Sequence, residues 1–214
     1  MGSPDSDAEA DNNEKPAHHV TISQPFYLGK YPVTQAQWEA VMETNPSQFQ
    51  GDRNRPVEHV SWEDTQEFIQ RLTAKEIGAS FRLPTEAEWE YACRAGSPTA
   101  YSFGDDRSQL GAYGWYRDNS GRTTHPVGEC TPNAWGLYDM HGNVCEWGQD
   151  WYGPYTPELL PDPQGPPWGG RRVVRGGSWL HDAGHCRSAY RGRAAPGGRG
   201  GNLGFRCAFS VGRR

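Results

Sequence analysis

The chain has 214 residues, which is long enough for one large domain or two small domains with a substantial core. Its formal net charge is −5 at pH 7, which argues against a general binder of nucleic acid or of acidic membrane surfaces. Aromatic residues make up 12% of the chain and include nine Trp, while 27 Gly and 17 Pro leave little room for long helices. A loop-rich fold with an aromatic core is therefore expected.

The beginning of the chain is polar and acidic, and we predict a flexible lead-in over residues 1–17 followed by one domain over residues 18–214. Alternating apolar residues at 19–23 and 26–29 flank Gln24 and Pro25, a pattern that predicts a hairpin.

Three helix starts follow, each marked by a capping box. The pairs are Thr34 with Gln37, Ser61 with Asp64, and Thr85 with Glu88. Apolar residues at helical spacing follow each pair, so a helix is predicted at each. Beyond residue 96 the helical period is lost, and short strands cut by Gly, Pro and Asn are expected. The predicted class is α+β, loop-rich with short antiparallel strands and two or three helices.

The five cysteines form no CxxC pair and leave one over from any complete set of disulfides. This usage favours a reducing compartment such as the cytoplasm over a secreted disulfide scaffold. No apolar run approaches the ~18 residues of a membrane span, and no signal peptide is recognisable. No membrane insertion is therefore expected.

The region from Arg175 to Arg206 has apolar strand signals at both ends but neither helical nor strand period between them. It is rich in arginine and contains a single acid, Asp182. The planar five-donor guanidinium suits loop carbonyls, an interpretation we prefer over binding of an anionic ligand. We expect a structured frame around a small-residue loop, with ligand recognition in that frame.

Five stretches are informative together: YPVTQAQW at 31–38, RPVEHVSW at 55–62, FRLPTEAEWE at 81–90, GLYDMHGN at 136–143 and RGGSW at 175–179. In this order they resemble the formylglycine-generating-enzyme, or sulfatase-modifying factor, domain. The resemblance covers the chain from about His18 to its end. It implies a single domain with the C-type lectin-like fold of the formylglycine-generating-enzyme type.

The enzymes of that family bind copper through two cysteines in the loop after RGGS and oxidise a substrate cysteine. The matching positions hold His181 and Cys186 here, so the first thiolate is missing. Because soft Cu(I) needs a pair of thiolates, no copper, no required cofactor and no catalytic residue are expected. Two alternatives stay open: a metal-dependent oxidase of the formylglycine-generating or non-heme iron class, with His185 as a further ligand, and a catalytically inactive relative.

The resemblance also implies a structural calcium ion. Family members hold it with the segment that matches 139–146, which assigns Asp139, Gly142, Val144 and Glu146 as ligands through carboxylate and backbone oxygens. The alternative is a polar turn stabilised by its own side chains. Cys145 replaces a Trp that is usual in this segment, a change expected to loosen it.

The closing region resembles a second, more specific pattern, the variable region of proteins diversified by diversity-generating retroelements. Its frame, RGGSW…CRSA.R…P..R…GFR, is matched by 175–179, 186–189, Arg191, Pro196, Arg199 and 204–206. In such systems a template rich in Asn codons is copied with its adenines randomised. Because Asn codons end in a pyrimidine, the products never include Lys, Gln, Glu, Met or Trp.

None of those five residue types occurs at the positions that the frame leaves free. The predicted replaceable, ligand-binding positions of the hypervariable region are Leu180, His181, Asp182, His185, Tyr190, Gly192, Arg193, Ala194, Ala195, Gly198, Gly200 and Gly201. The predicted framework residues are Arg175, Gly176, Gly177, Ser178, Trp179, Cys186, Arg187, Arg191, Arg199, Phe205 and Arg206.

The function expected from this pattern is non-enzymatic ligand binding by a receptor-type display protein of bacterial or phage origin. The partner is an unidentified protein or surface ligand bound by the variable loop. Most contact is expected from His181, Asp182, His185, Tyr190 and Arg193, because aromatic and Arg side chains dominate interfaces. A plain Gly/Arg surface loop in a decayed enzyme is the alternative.

Overall fold

The structure is a computed structural model that describes residues 1–76, 80–155 and 161–210, so the last four residues of the predicted domain lie outside it. The described helices are α1 (Gln35–Met42), α2 (Trp62–Lys75), α3 (Glu86–Arg94) and α4 (Leu110–Tyr113). The described strands are β1 (Phe26–Leu28), β2 (Phe81–Arg82), β3 (Cys145–Trp151), β4 (Arg172–Arg175), β5 (Gly192–Ala194), β6 (Leu203–Gly204) and β7 (Ala208–Ser210). The predicted α+β class is confirmed.

The three predicted capping boxes are all present. Thr34, Ser61 and Thr85 each accept a hydrogen bond from the backbone N–H three residues on, and the side chain there bonds back to the cap N–H. Two otherwise unpaired donors are satisfied at each helix start, which fixes where α1, α2 and α3 begin. The short α4 was not expected, because four residues carry too little periodicity to predict a helix.

The strands form two small sheets. One has the order β1-β7-β2, and the other has the order β5-β4-β3-β6 with a parallel pair between β3 and β6. The hairpin predicted over residues 19–29 is wrong: β1 pairs with β7, and Thr21 bridges to Pro161 instead. The alternating pattern marked a strand correctly at 26–28 but carried no information about its distant partner.

The main core is aromatic, as the composition indicates. Trp38 and Phe68 stack at 5.3 Å between ring centroids, and Phe205 packs edge-on against both. Trp147 of β3 is fully buried beside them and donates its indole N–H to the Val60 carbonyl. The core therefore joins α1 and α2 to the second sheet, and it fixes the strands that carry the closing region.

The acidic lead-in is packed against the domain, which corrects the flexible segment predicted for 1–17. Glu14 is completely buried, and both of its carboxylate oxygens accept hydrogen bonds from the Arg187 guanidinium at 2.8 and 2.7 Å. Ser3 and Asp11 donate two further hydrogen bonds to Glu14. Further hydrogen bonds join the lead-in to the domain, among them Gly2 N–H to Glu90 and Arg191 to the Asn13 carbonyl. The low hydrophobicity of the segment gave no sign of these contacts, because their partners are distant in the sequence.

Two general properties of the described chain bear on function. No helix in these residue ranges combines the length and apolar character needed to cross a membrane. The five cysteines carry free thiols, of which Cys93, Cys145 and Cys186 are buried and Cys130 and Cys207 are half-buried.

Candidate functional site

The site begins at the end of β4, where two glycines turn the chain into the closing loop. Gly176 and Gly177 have φ values of +93° and +69°, in the left-handed region that favours glycine. A Cβ at Gly177 would lie 2.5 Å from the Cys186 Sγ atom, and one at Gly176 would lie 3.1 Å from the Trp89 ring. The fixed glycines of the RGGSW motif are therefore required by backbone conformation and by space.

Arg175 lies under the closing loop and binds its backbone. Its buried guanidinium donates to the carbonyls of Ser188, Ala189 and Tyr190 at 2.6–2.9 Å and to a Glu90 carboxylate oxygen at 2.5 Å. Three consecutive loop carbonyls are thus held by one side chain. The expectation that framework arginines satisfy loop carbonyls is confirmed here, with a buried glutamate as an additional partner.

The other framework arginines also pair with acids that lie outside the closing region. Each acid belongs to the lead-in, to α2, to α3 or to β3. The pairs are Arg187 with Glu14, Arg191 with Glu86, Arg199 with Asp64, and Arg206 with Glu146. All but Arg199–Asp64 are buried. The loop backbone is therefore fixed from several directions by side chains that are not among the replaceable positions.

Burial separates the two predicted classes of residue. Every predicted replaceable position from Leu180 to Gly201 is half-buried or exposed. The predicted framework residues are buried except Trp179, which is half-buried, and Arg199, which is exposed. Trp179 is nevertheless anchored, because its indole N–H donates to the Gly201 carbonyl at 2.8 Å and its ring packs edge-on against Phe49.

The first part of the exposed face is the loop 180–185. Asp182 forms an ion pair with Arg117, whose backbone N–H also donates to the His181 carbonyl at 2.9 Å. The His185 ring lies 5.5 Å from the His181 ring and packs edge-on against Tyr190 at 4.7 Å. The structure thus brings three of the five expected contact residues together as one aromatic group.

That aromatic group borders a pocket of about 260 Å³. The pocket is lined by replaceable residues and by residues outside that set, which are Cys145, Val174, Arg175, Gly177, Asn202 and Leu203. The Cys145 Sγ atom lies 3.6 Å from the His181 Nδ1 atom, which also contacts the Ser178 hydroxyl at 2.7 Å. Of the pocket residues outside the replaceable and framework sets, only Cys145 carried a signal in the sequence, the replacement of the usual Trp, and Val174 and Leu203 carried none.

Apart from Arg175 and Arg193, the residues that line the pocket are uncharged at neutral pH. Burial lowers the pKa of His181 to about 4, so its imidazole is neutral. Burial also raises the pKa of the Cys145 thiol and of the Tyr190 phenol to about 12. The Arg175 charge at the base is offset by its ion pair with Glu90.

The remaining replaceable positions lie elsewhere on the face. The Arg193 guanidinium stacks over the Tyr152 ring at 4.8 Å, and Ala195 is exposed. Gly192 and Gly198 are half-buried, but a Cβ there would lie 3.1 and 3.0 Å from a backbone carbonyl oxygen. A Cβ at Gly200 would meet the side-chain oxygen of Asn202 at 2.9 Å, and one at Gly201 would meet that of Gln48 at a still shorter distance. Neighbouring atoms must therefore shift at all four glycines before a side chain is accepted.

The residues assigned to calcium do not form a cation site as they are arranged. Both Glu146 oxygens accept hydrogen bonds from Arg206, and one also accepts the Trp89 indole N–H. Asp139 accepts hydrogen bonds from the Gly128 backbone and the Asn143 side chain. The guanidinium supplies the counter-charge that a calcium ion would supply. These contacts favour the alternative of a polar turn, and metal analysis of the purified protein decides between that turn and the calcium ion.

The donors near His181 do not match a copper site of two loop thiolates. Cys186 is fully buried against Gly177, and burial raises the pKa of its thiol. Within the ranges 1–76, 80–155 and 161–210 no cluster of three His, Cys, Asp or Glu side chains is arranged to hold a metal ion. No chemical step through copper or iron follows from this geometry.

Comparisons with known proteins agree with the geometry. A family model described as the sulfatase-modifying factor enzyme 1-like domain matches residues 1–211. The structure is similar to Treponema denticola variable protein 1, with a TM-score of 0.90, 34% identity and coverage of 99% of this chain and 91% of that one. It is also similar to PvdO from Pseudomonas aeruginosa, with a TM-score of 0.85, 30% identity and coverage of 99% and 90%.

The fold and the buried arginine frame define a C-type lectin-like domain of the kind found in formylglycine-generating enzymes. The chain belongs to the sulfatase-modifying factor enzyme 1-like family. It is 40% identical over 179 residues to a formylglycine-generating enzyme of Streptomyces coelicolor, an alignment that covers 76% of this chain. It covers 55% of that enzyme, so the chain spans about half of its length.

Proposed function

We propose that the chain is a non-enzymatic ligand-binding display protein whose region 175–206 is diversified by a retroelement. The observation that carries the proposal is the division by burial, in which replaceable positions lie at the surface and nearly all framework residues lie beneath it. Changes at exposed positions typically alter stability by no more than ~0.5 kcal/mol, whereas changes at buried charged residues are far more damaging. The similarity to a Treponema denticola variable protein supports the same role.

The test is to sequence many copies of the gene from one source population. Substitutions are expected at positions such as Leu180, His181 and Tyr190, and not at framework positions such as Arg175 and Cys186. A nearby reverse transcriptase and a near-identical repeat that differs at adenines are also expected. The segment 130–145 serves as an internal control. Substitutions spread evenly over the region and this control would remove the basis of the proposal.

A metal-dependent oxidase is the second candidate, and the similarity to a formylglycine-generating enzyme favours it. A further observation in its favour is the Cys145–His181 contact, which places a thiol and an imidazole in one accessible pocket. Metal analysis of the purified protein and oxygen uptake with a cysteine-containing peptide would test it. Stoichiometric copper or iron that is lost in His181→Ala and Cys186→Ala would support the oxidase over the display protein.

A further inference from the structure

The pocket beside β5 is lined by two sets of residues, those that are predicted to be replaceable and those that are not. Its rim carries the replaceable residues His181, Tyr190, Gly192, Arg193 and Ala194. Its floor consists of residues that are not in the replaceable set, chiefly Cys145, Val174 and Leu203 from three neighbouring strands. Diversification would therefore alter the rim of the pocket and leave its floor unchanged.

The alternation of strand β5 decides which side chains reach the pocket. Gly192 is paired with Val174, and Ala194 packs against the core cluster that contains Val174 and Leu203. Successive residues of a strand face opposite sides, and the Arg193 guanidinium stacks over the Tyr152 ring. Arg193 nevertheless lines the pocket, so it places one positive charge at the rim and not on the apolar floor.

The size of the pocket matches one side chain. A cavity of about 150 Å³ holds a benzene ring, whereas sites for drug-sized molecules span roughly 300–1,000 Å³. At about 260 Å³ the pocket has room for an aromatic side chain but not for a larger free ligand. A macromolecule that projects one residue into it fits this volume.

The chemistry of the walls selects among side chains. Val174 and Leu203 present aliphatic surface, and Cys145 presents a buried thiol. Tyr190 and His181 present ring edges and faces, against which another ring packs favourably. At the floor a carboxylate or ammonium group would lose its hydration without gaining a counter-charge, because the Arg175 guanidinium is already paired with Glu90 and Arg193 lies at the rim.

We propose that this pocket takes one uncharged aromatic side chain from a protein partner, which lies against an apolar floor that diversification leaves unchanged and within a rim that diversification alters. The inference rests on the proposed display function for its biological meaning. Its physical content, the preference of the pocket for an uncharged ring, is independent of that function.

The experiment uses the full chain labelled at Ala, Val and Leu methyl groups and small probes that each carry one side chain. N-acetyl-phenylalaninamide and N-acetyl-tyrosinamide are expected to give saturable NMR shifts at Val174, Ala194 and Leu203. Burial of one ring corresponds to affinities in the millimolar range. N-acetyl-lysinamide and the corresponding aspartate amide are expected to leave these signals unchanged.

Two variants locate the binding. Ala194→Phe fills the pocket from its own wall and is expected to abolish the shifts at Val174 and Leu203. His181→Ala removes one aromatic wall at a half-buried surface position, where the fold tolerates change, and is expected to weaken binding about 2- to 10-fold. Leu180→Ala is the matched control, because Leu180 is a neighbouring replaceable residue that does not line the pocket.

Shifts that are as large for the lysine or aspartate probe, no saturable shift with either aromatic probe, or equal binding to wild type and His181→Ala would each overturn the inference. The outcome is distinguishable from failure of the proposed function. Probe binding in the pocket together with gene copies that do not vary at the replaceable positions would refute the display function and retain the pocket. Gene copies that vary at the replaceable positions, together with no probe binding, would support the display function and refute the pocket inference.

Discussion

The buried pair of Glu14 and Arg187 gives the most direct test of how the frame is held. Their side chains are 0% and 4% exposed, and four donors converge on the Glu14 carboxylate: both terminal nitrogens of Arg187, the Ser3 hydroxyl and the Asp11 backbone N–H. The substitution Glu14→Gln keeps the size of the side chain and removes its charge. An amide NH₂ then faces donors, and buried Arg187 keeps as its counter-charge only the partly exposed Asp7 carboxylate, 3.8 Å away.

The expected loss is large. Removing one partner of a buried ion pair costs about 3–5 kcal/mol, because the remaining charge has lost both water and partner. For a domain of this size one kcal/mol corresponds to roughly 2–4 °C in Tm, so Glu14→Gln should lower Tm by about 6–20 °C. Thermal unfolding followed by circular dichroism, with urea unfolding as a second measure, provides the assay.

Glu9→Gln is the matched control in the same acidic segment. The Glu9 side chain is 61% exposed and lies 3.6 Å from Arg107, so its loss should change stability by no more than ~0.5 kcal/mol. The double variant Glu14→Gln with Arg187→Met removes the stranded charge and should recover part of the loss. If Glu14→Gln and Glu9→Gln have the same Tm, the lead-in does not hold Arg187 and the reasoning is refuted.

Three further predictions follow from the site. Gly177→Ala should lower the free energy of unfolding by about 1–3 kcal/mol, because its Cβ would meet the Cys186 Sγ atom at a position with positive φ. Gly184→Ala is the control, since the space at its Cβ is open, and its free energy of unfolding in urea should stay within ~0.5 kcal/mol of the wild-type value. Burial raises the pKa of Asp150 to about 7, so the folded state binds a proton that the unfolded state does not. The contribution of Asp150 to stability should therefore rise as pH falls from 8 to 5, whereas buried His141 and His181, whose pKa values are lowered to about 4, contribute in the opposite sense. The measured quantity is therefore the stability difference between wild type and Asp150→Asn, which should change over this range, while the difference for exposed Asp118→Asn should stay constant. A constant difference for Asp150→Asn would contradict the assignment. Calcium added after chelation should leave Tm unchanged, and a saturable rise would restore the calcium site.

The helix starts could be predicted from the sequence, because they depend on contacts between residues that are close together in the chain. The capping boxes at Thr34, Ser61 and Thr85 depend on residues three apart, and each helix begins where its box predicts. The hairpin at 19–29 failed because strand pairing depends on distant partners that no local pattern specifies. Long-range contacts were the principal information that the pattern lacked.

The candidate site also has a part that could be predicted from the sequence and a part that could not. Its frame and its exposed positions follow from spacing and codon arithmetic, and their burial agrees with that prediction. The pocket could not be predicted from the sequence, because Cys145 lies 36 positions before His181 in the chain. The two residues come together only when the second sheet forms. The sequence therefore predicts which positions are replaceable, while the structure was needed to show the pocket that these positions border.

The pairing of the framework arginines is a physical reason to expect that substitutions at replaceable positions cost less stability than substitutions at framework positions. Arg175, Arg187, Arg191, Arg199 and Arg206 each bind an acid outside residues 175–206. No replaceable side chain takes part in these pairs, so exchanging the surface leaves the frame intact. Exchange of an exposed side chain costs ~0.5 kcal/mol or less, whereas loss of one buried arginine partner costs about 3–5 kcal/mol. A domain of marginal stability tolerates many changes of the first kind and few of the second, so the stable copies of such a region are those that vary only at its surface.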